Sequence, residues 1–202
     1  MGNKVIKCIK ERRSIRNYLD KELPKEIIDE IISAGRYAPS AENRQPWKFI
    51  VVTNRKFIGH LSEEIKKQIE KILKQKWKWK RKFRELNDRQ TLLFLNAVAS
   101  SKNDLICYNA PAVIFIITED KLFNDESCSC AAQNMMLAAR SLGIGSCWIG
   151  FAKFLEANKE IMDEIGIPDD YHITSFLIFG YTENVPRPSL RKPTAGVIKW
   201  IE

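Results

Sequence analysis

Residues 112–150, AVIFIITEDKLFNDESCSCAAQNMMLAARSLGIGSCWIG, decide the fold. The run AVIFIIT (112–118) is continuous, apolar and rich in β-branched residues. A strand apolar on every residue is covered on both faces, so this one reads as central. Ser127 to Leu142 is rich in Ala, Met and Leu and reads as a helix, with Gly143 as its C-terminal cap. CWIG (147–150) reads as a short strand or strand end. Strand, helix and strand in this order predict one mixed α/β domain.

Downstream, a helix around 153–165 stops at Gly166, Pro168 follows, and ITSFLIFG (173–180) is a further strand. Upstream, WKFIVVT (47–53) reads as a buried strand. Before it, Pro24 opens a helix at its favoured first position. Ile27, Ile28, Ile31 and Ile32 give that helix one apolar stripe. It ends near Ala38-Pro39, because a proline disfavours helix at the preceding residue. Val5, Ile6 and Ile9 carry helical spacing near the start of the chain. Leu61, Ile65, Ile69, Ile72 and Leu73 make 61–76 an amphipathic helix. Trp79, Phe83 and Leu86 extend its spacing, so that helix runs on or kinks there. Residues 98–110 look like a looser connection. The terminal Val197, Ile198, Trp200 and Ile201 are apolar, whereas a free tail stays polar. The tail is expected to pack on its own body or on a second subunit.

The 202 residues are 45% hydrophobic and 29% charged, which excludes global disorder. At roughly 100–200 residues per domain the length suits a single domain, and no repeat or linker divides it. No apolar run approaches the ~18 residues of a membrane span. The N-terminal MGNKVIKCIKERRS has no apolar signal-peptide core. Five cysteines in no disulfide-like spacing are expected to be reduced thiols, placing the chain in a cytoplasm. The net charge of +8 is concentrated: KQKWKWKRKFRELNDR (74–89) alone holds eight basic and two acidic side chains. That window is a solvated lysine face, a lid over a ligand, or an anion-binding helix with interleaved aromatics. No nucleic-acid motif accompanies it, so nucleic acid is not the expected partner.

Four constellations carry possible chemistry. Arg12-Arg13-Ser14-Ile15-Arg16 suits a phosphate and polar ring edges, or is a solvated basic turn. Ala38 to Trp47, APSAENRQPW, exposes backbone donors to a flat ligand, or is a connecting turn. Residues 128–150 combine alanines for close helix packing with glycines for close backbone approach, which a core helix and turn explain equally well. Pro186 to Pro193, PRPSLRKP, is a stiff basic tail or a second phosphate clamp. Cys128 and Cys130 lack a partner cluster for a metal, and His60 and His172 stand alone.

In order and spacing, RRSIR, APSAENRQPWKFIVV, AAQNMMLAARSLGIGSCWIG and GYTENVPRPSLRKP resemble the nitroreductase family of FMN-dependent oxidoreductases. The resemblance spans residues 1–202 as one domain, apart from a basic helical insertion at about 55–105. It implies an α+β fold, a three-layer α/β/α sandwich around a mixed, mainly antiparallel sheet. It also implies an intertwined homodimer with FMN at the subunit interface. The tail at about 181–202 would cross to the partner and add an edge strand.

On this resemblance Arg12 and Arg191 hold the FMN phosphate, with Arg13 and Ser14 in the same row of contacts. Arg16 lies near flavin N1 and O2, where a cation stabilises the reduced, anionic ring. Pro39, Ser40, Ala41 and Asn43 form the loop that reaches the flavin from the other subunit. Ile149 and Gly150 match the stretch whose backbone N–H faces flavin N5. Three positions depart from the family pattern. Ser189 replaces a common Lys, with Arg187 or Lys192 as substitutes, and Ile149 replaces a common carboxylate. The ring-contacting Asn has no clear match, with Lys102 and Asn103 as candidates.

The implied activity passes hydride from NADH or NADPH through the flavin to a small oxidised acceptor, a nitroaromatic or quinone, by a ping-pong course. The cofactor carries the chemistry, so no residue is expected as catalytic acid, base or nucleophile, and no metal is expected. The alternative is a specialised flavin protein of the same fold: a dehalogenase, a flavin-cleaving enzyme or a flavin sensor. On the lid reading of the basic window, under either activity, Trp77, Trp79 and Phe83 would cover the substrate beside the flavin, and the lysines would attract an anionic ligand such as NADPH.

Overall fold

Three helices, α1, α3 and α5, start where a short polar side chain supplies a cap. The computed structural model describes residues 3–81, 84–187, 196 and 198–202. Asn3 caps helix α1 (Lys4–Glu11), accepting from the Val5 and Ile6 amides at 2.9 and 3.2 Å. Asn54 caps α3 (Arg55–Lys74) through the Phe57 amide at 3.0 Å. Asp88 caps α5 (Arg89–Ser100) through the Thr91 amide at 2.7 Å. Helix α2 (Lys25–Arg36) follows Pro24 directly, and the short α4 (Lys76–Trp79) follows α3 after a break at Gln75.

Four strands form one sheet: β1 (Lys48–Val52), β2 (Ala112–Glu119), β3 (Gly145–Trp148) and β4 (Tyr171–Gly180). Their order is β1-β2-β4-β3, and every neighbouring pair is antiparallel. Among the described residues an isolated parallel bridge, outside the named strands, joins Ser14 to Ser146 at the β3 edge. Successive strand side chains point to opposite faces. Val113, Phe115 and Ile117 therefore join Phe176 and Ile178 on one face, while Ile114 and Ile116 join Leu177 and Phe179 on the other.

Each face carries its own helical layer. The first is covered by α3, α5, a 3-10 segment (Gly150–Ala157) and α7 (Lys159–Ile165). The buried stripe Ile58, Leu61, Ile65, Ile69 and Ile72 on α3 has helical spacing and faces this core. The second face is covered by α2 and α6 (Asn124–Ser141), whose Ala131, Ala132, Met135 and Ala139 are buried. This is the expected three-layer α/β/α sandwich. The region 55–105 supplies α3 and α5, hence much of one layer.

Several local expectations need correction. Residues 47–53 are apolar enough for a central strand, yet β1 lies at a sheet edge and is half exposed. Helix α3 begins at Arg55, earlier than the apolar spacing indicated, because Asn54 caps it. The connection starts at 101, since α5 occupies 89–100. The helix read over 153–165 is two segments, broken at Asn158. Gly166 ends α7 in the left-handed conformation (φ 86°) that glycine adopts without strain. Among the described residues no helix is long and apolar enough to cross a membrane.

Candidate functional site at the β3 edge

Helix α1 ends at Arg12, whose amide still donates to Cys8 O at 2.9 Å. The chain then runs extended beside β3, and the Ile15 amide donates to Ser146 O at 2.9 Å. Ile15 is buried, packed where a Cβ on Gly145 would come within 2.9 Å of its Cγ1. A side chain at 145 would push this segment off the strand. Side chains alternate along an extended chain, so Ser14 and Arg16 project opposite to Ile15. Both act on the Cys147 thiol: burial raises it, while Arg16, Ser14 and Arg12 pull it down.

Arg12, Arg13 and Arg140 line a small cleft together with Gly143, Gly145, Ser146 and Thr182. Arg140 is paired with Glu11 at 3.0 Å, and Arg12 adds a guanidinium at the end of α1. Guanidiniums beside hydroxyls and strand-end amides suit a phosphate dianion. Arg16 is exposed. The Tyr18 hydroxyl donates to Ile15 O at 2.8 Å, and burial pushes its phenol far up. The Tyr108 phenol is also raised by burial, with the Arg16 charge opposing that.

Tyr108 sits on the 101–111 connection, which one carboxylate organises. Asp104 accepts from the amides of Ile106 (3.0 Å), Cys107 (2.9 Å) and Asn109 (2.9 Å) and from Ser62 Oγ (2.5 Å). Burial raises the Asp104 carboxyl, but these donors outweigh that and hold it below its ordinary value. The turn leaves Tyr108 (φ 53°) and Asn109 (φ 56°) left-handed, which costs about 1 kcal/mol or more for each.

The loop read over Pro39, Ser40, Ala41 and Asn43 is equally constrained. Glu42, Asn43 and Gln45 all have positive φ (53°, 55° and 49°), and Ser40 Oγ accepts from the Gln45 amide at 3.0 Å. It is pinned near the start of α6: the Ala41 amide donates to Ser127 Oγ at 3.4 Å, and Arg44 to Leu122 O at 3.0 Å. The Arg140–Glu11 pair beside Arg12 lies at the other end of the same helix. The helix between Ser127 and Arg140 is about 20 Å long. Within one chain, then, Arg12, Arg13, Ser14 and Arg16 come together, and the 39–43 loop does not join them.

Ile149 turns its side chain into the core and donates its amide to Phe176 O at 2.9 Å, so that amide is engaged. Gly150 follows, exposed, as the first residue of a 3-10 segment, where an amide has no partner within the helix. Lys102 and Asn103 are exposed on the 101–111 connection. Arg191, Ser189, Lys192 and Phe83 lie outside the described residues. Trp79 packs against the core, whereas Trp77 is 72% exposed with Lys78 Nζ 5.2 Å from its ring. Burial pushes the Cys128 thiol up to about 11 and raises Cys107 and Cys147, so none of these is an activated nucleophile.

Sequence reasoning missed Arg140, Asp104 and Tyr108. For Asp104 the signal was an Asn-Asp pair in a loop, which favours side-chain-to-backbone bonding. Nothing local marks Tyr108 or Arg140.

The profile described as the nitroreductase family matches residues 9–181. The chain belongs to the nitroreductase family. It is 31% identical over 185 residues to a provisionally named NADH dehydrogenase/NAD(P)H nitroreductase of Archaeoglobus fulgidus, covering 89% of this chain and 86% of the other. It is 26% identical over 200 residues to the chloronitrobenzene nitroreductase of Comamonas testosteroni, covering 87% and 86%. The crystal structure of a Bacteroides fragilis nitroreductase with bound FMN superposes with a TM-score of 0.81 at 29% identity, covering all of both chains. The arginine cluster of this family member therefore sits in a fold that holds FMN in a relative.

Proposed function

We propose that this nitroreductase-family chain is an NAD(P)H-dependent FMN oxidoreductase that reduces a small oxidised acceptor, a nitroaromatic or quinone. The observation that carries the reading is the Ile15–Ser146 bond. It draws Arg12, Arg13, Ser14 and Arg16 onto the strand edge beside Gly143–Ser146, at the end of α6. The donor set fits the cofactor: the Arg12 and Arg13 guanidiniums, with the Ser146 and Thr182 hydroxyls, match a phosphate dianion.

FMN, when bound, accepts hydride at N5 and gives it up to a second substrate. The protein's part is placement and charge. Arg12 and Arg13, with Arg191, would hold the phosphate. Arg16 would set a fixed positive charge at the pyrimidine edge of the ring. The Gly150 amide, outside any helical ladder, is the donor suited to the N5 position. With Ile149 turned into the core, no carboxylate stands at this position.

The reading includes an intertwined homodimer. Three features support it. The 39–43 loop and the arginine cluster lie at opposite ends of α6, so one flavin meets both only if two chains contribute. Helix α1 exposes Val5, Ile6 and Ile9, and the tail exposes Ile198, Trp200 and Ile201. β1 is an edge strand, hydrogen-bonded to β2 on one side among the described residues. A tail at 181–202 laid on the partner's sheet would answer both the exposed tail and the open edge. Five free thiols suit a reducing cytoplasm.

The test is an absorbance spectrum of the purified protein with FMN, followed by anaerobic addition of NADH or NADPH, and its sedimentation. Flavin bands that bleach with either donor, recover with a quinone and travel with a dimer are expected. A monomer that stays colourless with added FMN overturns the reading.

A further inference from the structure

We propose that Phe94 is a positioning residue for the Gly150 amide, acting through its ring contact with Phe151. The inference rests on the flavin reading above and deepens it, by naming what steadies the donor suited to N5.

The contact joins two elements. The rings of Phe94, on α5, and Phe151 stand 5.8 Å apart between centroids, tilted by 40°. That separation lies within the range over which aromatic rings attract, in an arrangement other than the disfavoured face-to-face sandwich. Phe151 follows Gly150 directly and packs, half-buried, on the first core cluster. Phe94 is 55% exposed, whereas Leu95 beside it enters the core. Phe94 is thus a poor core residue whose ring nevertheless meets the residue next to the candidate donor.

Gly150 itself is held from few sides. It opens the 3-10 segment with no side-chain cap before it. A Cβ built on it meets nothing within 4 Å, so no atom packs on that side. Upstream the chain is fixed: Ile149 is buried and its amide is bonded to Phe176 O at 2.9 Å. Glycine has the widest backbone freedom of any residue. A glycine anchored only upstream can swing its own N–H about the bonds on either side of it. The downstream anchor is Phe151, whose ring packs on the core and on Phe94.

Phe94 is presented by a helix that is itself fixed. Asp88 caps the start of α5 through the Thr91 amide at 2.7 Å, and Leu95 and Val98 are buried in the same core cluster on which Phe151 packs. A continuous set of contacts therefore runs from the α5 cap, through Phe94 and Phe151, to the Gly150 peptide.

A donor aimed at N5 draws electron density from the atom that receives hydride. The aim of the Gly150 N–H then bears on how fast the flavin is reduced, while the arginines at the β3 edge set how tightly the cofactor is held. The two properties separate, and Phe94 acts on the first.

The experiment compares Phe94→Ala, Phe94→Tyr and Leu93→Ala in the FMN-loaded protein. Fluorescence titration reads FMN affinity. Stopped-flow absorbance reads the rate at which excess NADH or NADPH bleaches the flavin. The 15N resonance of N5 in labelled FMN reads the hydrogen bond at that atom. Phe94→Ala should slow bleaching by about 2–10-fold, the worth of one aromatic pair. It should also move the N5 resonance toward that of a flavin with no donor at N5, and leave FMN affinity unchanged. Phe94→Tyr keeps the ring and should match the wild type. Leu93→Ala removes a neighbouring side chain that is 63% exposed, and should match it too. In a Phe151→Leu background, Phe94→Ala should add nothing to either the rate or the resonance. Three results overturn the assignment: Phe94→Ala with the wild-type rate and resonance, an effect undiminished in the Phe151→Leu background, or the same effect from Leu93→Ala. A wild type that binds no FMN removes the functional reading. A wild type that binds FMN, with an N5 resonance unmoved by Phe94→Ala, removes this assignment alone.

Discussion

Ser62 on α3 donates a 2.5 Å hydrogen bond to Asp104, and that bond ties the layer covering the sheet to the turn that carries Tyr108. The carboxylate is held below its ordinary value of 3.8 by its donors, so its contribution to stability has a definite pH dependence. It is fully present above about pH 4 and is lost as pH falls through the depressed folded value. Asp104→Asn should cost about 1–3 kcal/mol at neutral pH, since an amide cannot accept from all four donors. Urea denaturation at pH 7 and pH 3 checks this. The gap between wild type and variant should narrow at the lower pH, and a constant gap would assign the stability elsewhere.

Arg12 should matter for the cofactor more than for the fold. It is partly exposed at a helix end, so Arg12→Ala is expected to leave the melting temperature within a few degrees. FMN affinity should fall by about 10–100-fold, the worth of a charge-assisted contact. Raising the salt concentration should weaken the wild type more steeply than the variant. Fluorescence titration at two ionic strengths measures both effects.

Gly180 closes β4 against two rings. A Cβ there would stand 2.6 Å from Pro111 Cδ and 2.7 Å from Tyr18 Cδ1. Proline cannot rotate away, so Gly180→Ala should displace Tyr18 and cost about 1–3 kcal/mol. Because Tyr18 supports the Ile15 carbonyl, FMN affinity should drop along with stability. Gly59→Ala is the control: it sits in α3 with nothing within 4 Å of its Cβ position, and should gain about 0.5–1 kcal/mol. Thermal melts of the two variants should move in opposite directions.

The two tryptophans of the basic segment should behave differently. Trp79 packs on the core, so Trp79→Ala should lower stability by about 2 kcal/mol, less than the full cost of a buried aromatic. Trp77 is 72% exposed, and Trp77→Ala should change stability by no more than about 0.5 kcal/mol. If Trp77 walls the flavin, its removal shifts the ratio of kcat/KM between a nitroaromatic and a quinone. Identical ratios would assign the segment to a solvated lysine face.

Much of the architecture could be read along the chain because its signals are local. Phe115 and Phe176, with rings 4.6 Å apart at the centre of the sheet, come from two apolar runs that only a covered strand explains. The stripe on α3 and the cap at Gly143 are equally local, fixed by spacing and by one residue's freedom at positive φ. The edge position of β1 was not legible, because KFIVV has the composition of a central strand and its rank depends on partners far away. Helix α5 was hidden for a related reason. Leu92 to Leu95 are continuously apolar, so no single face declares itself, and only packing selects Leu95 and Val98 for the core.

Residue types and their order were enough to specify the layers, the arginine run and the family. They could not specify which groups meet. The turn that carries Tyr108 takes its shape from Ser62, Arg55 and Lys66 of a different element, and such long-range contacts leave no periodic trace in the chain. Folding also separated what the sequence listed together. The 39–43 loop and the RRSIR run end up at opposite ends of α6, because a rigid helix of that length holds its ends about 20 Å apart.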